Sequence, residues 1–111
     1  MTAIRKLLCV LPVAAAIGLA GPAAQGQMPS PATRGKEIAE RVCSGCHAVD
    51  DRQGGTFQGT DVPSFKELAN RPRRTPETLQ SFIMTPRHPM PAIPLELKEI
   101  RDVVAYIESL K

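Results

Sequence analysis

The chain has no tryptophan, and its only rings are Phe57, Phe65, Phe82, Tyr106 and two histidines, His47 and His88. That scarcity argues against a large aromatic core. A domain within 111 residues buries a modest share of its surface, so a cofactor, metal or disulfide is expected to supply the missing interior. No stretch alternates apolar and polar residues as a half-buried strand does, which leaves little for a sheet to form from. No internal repeat is present. No apolar run reaches the roughly 20 residues that a membrane-spanning helix requires. Cysteine is scarce too, with Cys9, Cys43 and Cys46 the whole complement. Eleven prolines break the chain into short pieces.

The first 26 residues have a different character from the rest. Arg5 and Lys6 precede an apolar run from Leu7 to Leu19, interrupted at Pro12 and followed by the small residues Ala20 to Ala24. This order of positive start, apolar centre and small residues predicts a secretory signal peptide over 1–26, removed in the mature protein, with Ala23, Ala24 and Gly26 all allowable cleavage points. Residues 27–32 form a linker, and 33–111 the functional domain, expected in the periplasm without a membrane anchor. Removing the signal takes Arg5, Lys6 and Cys9. Twelve basic residues then face eleven acidic ones, a balance that gives no reason to expect nucleic-acid binding. Two cysteines remain.

The helical signals come in four places. Thr33 is expected to cap a helix through Val42, with Ile38, Ala39 and Val42 on one face. Ser64-Phe65-Lys66-Glu67 has the form of a capping box and opens a short helix to about Asn70. Thr75-Pro76-Glu77 combines a threonine cap with proline at the first helical position, and Pro86 ends that helix. Ile100, Val103, Val104, Ile107 and Leu110 then recur at helical spacing. Between the first two helices, Ala48 to Pro63 reads as a long polar, Gly-rich loop. The fold is predicted to be all-α.

The most informative five residues are Cys43-Ser44-Gly45-Cys46-His47. Two thiols separated by two residues can each form a thioether to a vinyl group of one haem, and the next histidine then lies where its imidazole can bind the iron. A disulfide is the competing reading, since exported cysteine pairs are commonly oxidised. Thioredoxin-like chemistry requires a βαβ setting, and a structural zinc site a second pair of ligands. The adjoining histidine, the export signal and the lack of strand signals count against both. Met90 stands between Pro89 and Pro91, which fix φ and hold a thioether with little help from packing; alternatively it fills a gap in an apolar cluster, as most methionines do.

Residues 34 to 111 resemble a small class I bacterial cytochrome c. A glycine-containing helix runs into Cys-x-x-Cys-His, and Met90-Pro91 precedes a terminal helix containing Ile100-Arg101-Asp102-Val103-Val104-Ala105-Tyr106-Ile107. The resemblance implies three to four short helices with long loops around one covalent haem c. It implies thioether bonds from Cys43 and Cys46, and axial iron ligation by His47 and Met90. Pro63 is implied to offer its carbonyl to the ring NH of the axial histidine, with an ordinary loop proline as the alternative. Asn70 and Arg71 match positions that hydrogen-bond haem propionates, or are solvated loop residues. Gly35 is implied to receive the ring of Tyr106 where the first and last helices cross. Glu96 departs from the family's serine or threonine cap. His88 and Met84 are rivals of Met90 for the iron, the first read as a surface residue and the second as packed.

The implied function is single-electron transfer in an exported redox chain, not enzymatic catalysis. Transient partners would be a donor dehydrogenase or reductase and an acceptor oxidase, and Arg71, Arg73, Arg74 and Arg87 could form a patch steering an acidic partner. Three alternatives stay open. One is a haem-bearing electron-entry subunit of a larger dehydrogenase or oxidase. Another is a haem enzyme or gas binder with an open distal site. The last is a copper- or zinc-handling protein using Cys43, Cys46, His47, His88 and Met90.

Overall fold

Hydroxyl side chains and prolines open two of the four helices in the computed structural model, which describes residues 26–50 and 62–111. Helix α1 spans Pro31–Val42, α2 Phe65–Asn70, α3 Pro76–Met84 and α4 Leu97–Glu108, and no strand occurs among the described residues. The N-terminal apolar run with Cys9, and most of the loop between Ala48 and Pro63 with Phe57, lie outside the described residues.

The predicted cap at Thr33 is corrected. Ser30 caps α1, its Oγ accepting the Thr33 amide at 3.1 Å, and Pro31 occupies the first turn where a missing N–H costs nothing. Helix α3 repeats that arrangement with Thr75 and Pro76. Helix α2 carries the full capping box: Ser64 Oγ accepts the Glu67 amide, and Glu67 Oε2 accepts the Ser64 amide at 2.7 Å. At α4 the Glu96 amide donates to Glu99 Oε2 at 2.9 Å, so Glu99 tends the helix start despite the unusual residue at Glu96.

Helices α1 and α4 make the main pairing. Their approach is set by Gly35, where an added Cβ would lie 1.8 Å from the Asp102 carbonyl oxygen and 2.9 Å from the Val103 nitrogen. Gly35 thus receives the backbone of α4 at Asp102–Val103, the close crossing of first and last helices that its place in α1 leads one to expect. Tyr106, one turn further on, lies 6.2 Å from the Phe65 ring, and its hydroxyl donates to the Val49 carbonyl at 2.7 Å in a buried setting. Beside the crossing, Arg34 Nε and Nη2 donate to the two oxygens of buried Asp102 at 2.8 and 2.9 Å, and Lys98 Nζ joins at 3.1 Å. The Arg34 hydrogen bonds, aided by Lys98, hold the Asp102 carboxyl below the ordinary carboxylate range against the opposing effect of burial. Ile38, Ala39, Val103, Val104 and Ile107 fill the core between the helices, with Phe65, Ala69 and Leu79 closing it from α2 and α3.

Candidate haem site

Helix α1 does not end freely. The Cys43 and Ser44 amides both donate to the Ala39 carbonyl, at 2.8 and 3.0 Å, and the Cys46 and His47 amides both donate to Cys43 O, at 3.1 and 2.9 Å. These bonds wind residues 43–47 into a tight turn that brings both thiols and the imidazole to one cleft. Two further anchors fix the chain immediately after it: the Phe65 amide donates to Ala48 O at 2.9 Å, and Tyr106 holds Val49 O. The turn and its two anchors therefore fix the course of the chain at His47.

The cleft has a volume of about 440 Å³ and an almost wholly apolar lining. One side is the Cys43–His47 turn with Val62, Pro63 and Phe65; the other carries Leu79, Phe82 and Ile83 of α3 and the loop with Pro89, Met90, Pro91 and Ile93; Val103 and Ile107 of α4 form the floor. Such a space is in the size range of cofactor and small-molecule sites. A Cβ at Gly45 would meet no protein atom within 4 Å, so nothing in the chain's own packing demands glycine there, unlike at Gly35.

His47 Nδ1 lies 2.7 Å from the Pro63 carbonyl oxygen. A carbonyl can only accept, so Nδ1 carries the proton and donates, which leaves the Nε2 lone pair for a metal. A carbonyl acceptor of this kind also orients the ring and raises its basicity as a ligand. The Phe65 ring, 5.6 Å from the imidazole, limits its tilt from a second direction. Burial, with Cys46 nearby, pushes the Cys43 thiol up to about 11. A thiol–disulfide enzyme depends on the opposite shift, toward the thiolate at neutral pH.

The structure also separates the candidates for the sixth iron position. Met90 lines the cleft and His88 does not; His88 is exposed. Met84, expected to pack, is 56% exposed and outside the cleft wall, because it falls on the outward side at the end of α3. Asn70 and Arg71 do not line the cleft either. The Asn70 amide turns back to donate to Lys66 O at 2.8 Å, and Arg71 is an exposed residue at the C-terminus of α2. Arg74 and Arg87 line it instead. Sequence reasoning had grouped those two with exposed arginines, and no local signal separates them, since their common partner Phe82 meets them only in the folded chain. Among the described residues no three His, Cys, Asp or Glu side chains gather as a metal-binding group.

A helical fold, a Cys-x-x-Cys-His turn and an apolar cleft with a pre-aimed imidazole together define a c-type cytochrome. The comparisons agree: the model of the family described as cytochrome C oxidase, cbb3-type, subunit III matches residues 30–107. The chain belongs to this cytochrome c family, and is therefore an electron-transfer protein carrying covalent haem c with its iron. Cytochrome c-552 of Bradyrhizobium diazoefficiens is 40% identical over 80 residues, which cover 72% of this chain and 75% of that protein. No solved structure matches the chain significantly.

Proposed function

We propose that the chain is an exported single-electron carrier in which Cys43 and Cys46 hold the haem by thioether bonds and His47 and Met90 are the axial ligands. The observation that carries this reading is the His47–Pro63 hydrogen bond, which frees Nε2 as a base in a cleft that Met90 also lines. When bound, haem supplies the one-electron couple of its iron. The chain's part is to hold it, to supply two ligands that leave no position for substrate, and to surround it with apolar residues that limit reorganisation of water. Methionine as the second ligand favours a higher potential than a second histidine would.

The N-terminal signal-like segment, 1–26, accounts for export, with the mature carrier working in the periplasm. Among the described residues no helix is long and apolar enough to cross a membrane. The partners are a donor dehydrogenase or reductase and an acceptor oxidase that dock transiently. A second reading is favoured by the description of the matching family, which names an oxidase subunit. In it the same module is a permanent electron-entry subunit, and purification as a stable complex in place of a free monohaem protein would establish it.

The test is the absorption spectrum of holoprotein made in a host that attaches haem. Colour should survive acid-acetone extraction, and the near-infrared band of ferric thioether ligation should vanish in Met90→Ala and persist in His88→Ala. Persistence in Met90→Ala would remove Met90 from the iron, and carbon monoxide binding to reduced wild-type protein would point to an open-site haem protein.

A further inference from the structure

Among the described residues, Arg74 and Arg87 are the only formally charged side chains in the cleft wall other than the titratable His47. Both gather on one ring: the Arg74 guanidinium carbon is 4.5 Å and that of Arg87 5.7 Å from the centroid of Phe82. Phe82 is itself 39% exposed, so the group sits at the mouth of the cleft and not in its depth. Neither arginine is paired with an acidic side chain among the described residues. Arg74 is half-buried and Arg87 exposed, so two like charges share one ring where the apolar cleft meets solvent, a place where an anionic group would be attracted by both.

The backbone adds an independent sign of constraint. Arg71 to Arg74 form a turn in which the Arg74 amide donates to Arg71 O at 3.3 Å, with Pro72 second and Arg73 third at φ 63°. The third position of such a turn favours glycine, and an arginine there is strained by the close approach of its Cβ. Strain of this kind persists where surrounding structure holds it and is frequent at ligand clamps. The turn ends at Arg74, whose side chain lies on Phe82, while Arg73 stays exposed.

We propose that Arg74 and Arg87, braced on Phe82, form a cationic clasp for the carboxylate edge of the bound haem and raise its potential. This rests on the reading of the cleft as the haem site. Guanidinium groups suit the task because they present planar pairs of donors to a carboxylate while stacking on an aromatic face. A cation fixed beside the haem edge neutralises its carboxylates and disfavours the additional positive charge of ferric iron, so both effects favour the reduced state. The clasp replaces Asn70 and Arg71, which the structure keeps out of the cleft wall, and it assigns Phe82 the role of a brace.

The test is the midpoint potential of holoprotein carrying Arg74→Gln, Arg87→Gln, both together, and Arg73→Gln for comparison. Each cleft substitution should lower the potential, the double more than either single, and Arg87→Lys should recover part of the loss because it keeps charge without the planar fork. Arg73→Gln should leave it near wild type. Potentials in the double variant equal to wild type, with covalent haem and the axial-ligand spectrum intact, would overturn the clasp while leaving the cytochrome reading in place. An equal shift from Arg73→Gln that disappears in high salt would also overturn it, since that is the behaviour of a diffuse surface patch steering an acidic partner. Failure of the wild-type protein to hold haem covalently would overturn clasp and cytochrome reading together.

Discussion

The α1–α4 crossing and the cleft beside it are built from the same kinds of residue to opposite ends. At the crossing the chain satisfies itself: Gly35 lets two backbones touch, Asp102 is matched by Arg34 and Lys98, and the Tyr106 hydroxyl is matched by Val49. In the cleft it does not. There the lining is apolar but encloses space, an imidazole keeps a lone pair in reserve, and two arginines lack an acidic partner among the described residues. The difference teaches where this small protein obtains its interior. A frame of two helices needs nothing from outside, and it supports a wall whose packing is completed by a cofactor.

The largest effect that sharpens this contrast is on the cleft side. Replacing both Cys43 and Cys46 by alanine should abolish haem retention through acid-acetone extraction, whereas Cys9→Ala should change nothing in the mature protein if the signal is removed. The comparison is made by the colour of the extracted protein against its mass. Retention in the double variant would mean that haem is held without thioether bonds.

On the frame side, Gly35→Ala should be nearly as damaging to stability, though helix propensity alone favours alanine by about 1 kcal/mol. The new Cβ would stand 1.8 Å from the Asp102 carbonyl oxygen, a backbone atom that cannot move without opening the crossing. Overpacking typically costs about 1–3 kcal/mol. With backbone as the obstacle, a net loss of about 2–3 kcal/mol is expected, or roughly 10–20 °C in Tm for a domain of this size. Thermal unfolding of the holoprotein reads it, and a neutral result would show the crossing to be looser than this.

How much of this was legible beforehand depended on whether a feature is local. The Ser64–Glu67 box and the Thr75-Pro76 start are complete within four residues, and helices α2 and α3 begin where those signals lie. Ser30-Pro31 carries the same signal as Thr75-Pro76, but it ends a Pro/Gln/Ser-rich stretch that reads as linker, and the helix begins three residues before the start that a Thr33 cap predicts. The Cys-x-x-Cys-His turn is equally local, so its chemistry could be read directly. Features made by residues far apart were harder. The need for glycine at position 35 was legible from its place in a helix, but its partner is the backbone of Asp102–Val103, which no side-chain pattern encodes. The Arg34–Asp102 pair spans 68 positions, and Asp102 is one of several charged residues in α4, so nothing local marks it as the buried one. The gathering of Arg74 and Arg87 on Phe82 left no trace at all.

That Arg34–Asp102 pair offers the subtlest way to test whether the frame is independent of the cleft. Asp102 is buried and its pKa is depressed by the Arg34 hydrogen bonds, so its contribution is complete above the unfolded value of about 4 and is lost as pH falls through the lower folded value. Asp102→Asn removes the charge and its titration but keeps the shape. At neutral pH the variant should be less stable by about 1–2 kcal/mol, in the lower part of the range for charged hydrogen bonds because the Arg34 side of the pair reaches water. Denaturant unfolding of the two holoproteins should then show a constant gap from about pH 5 to 8 that closes progressively below about pH 4. The axial-ligand spectrum should not differ between them anywhere in the neutral range. A gap that stays open in acid would mean that Asp102 acts through shape and not charge. A spectrum that changes with Asp102→Asn would show that the crossing and the cleft are mechanically one unit, and the division between a self-sufficient frame and a cofactor-completed wall would have to be given up.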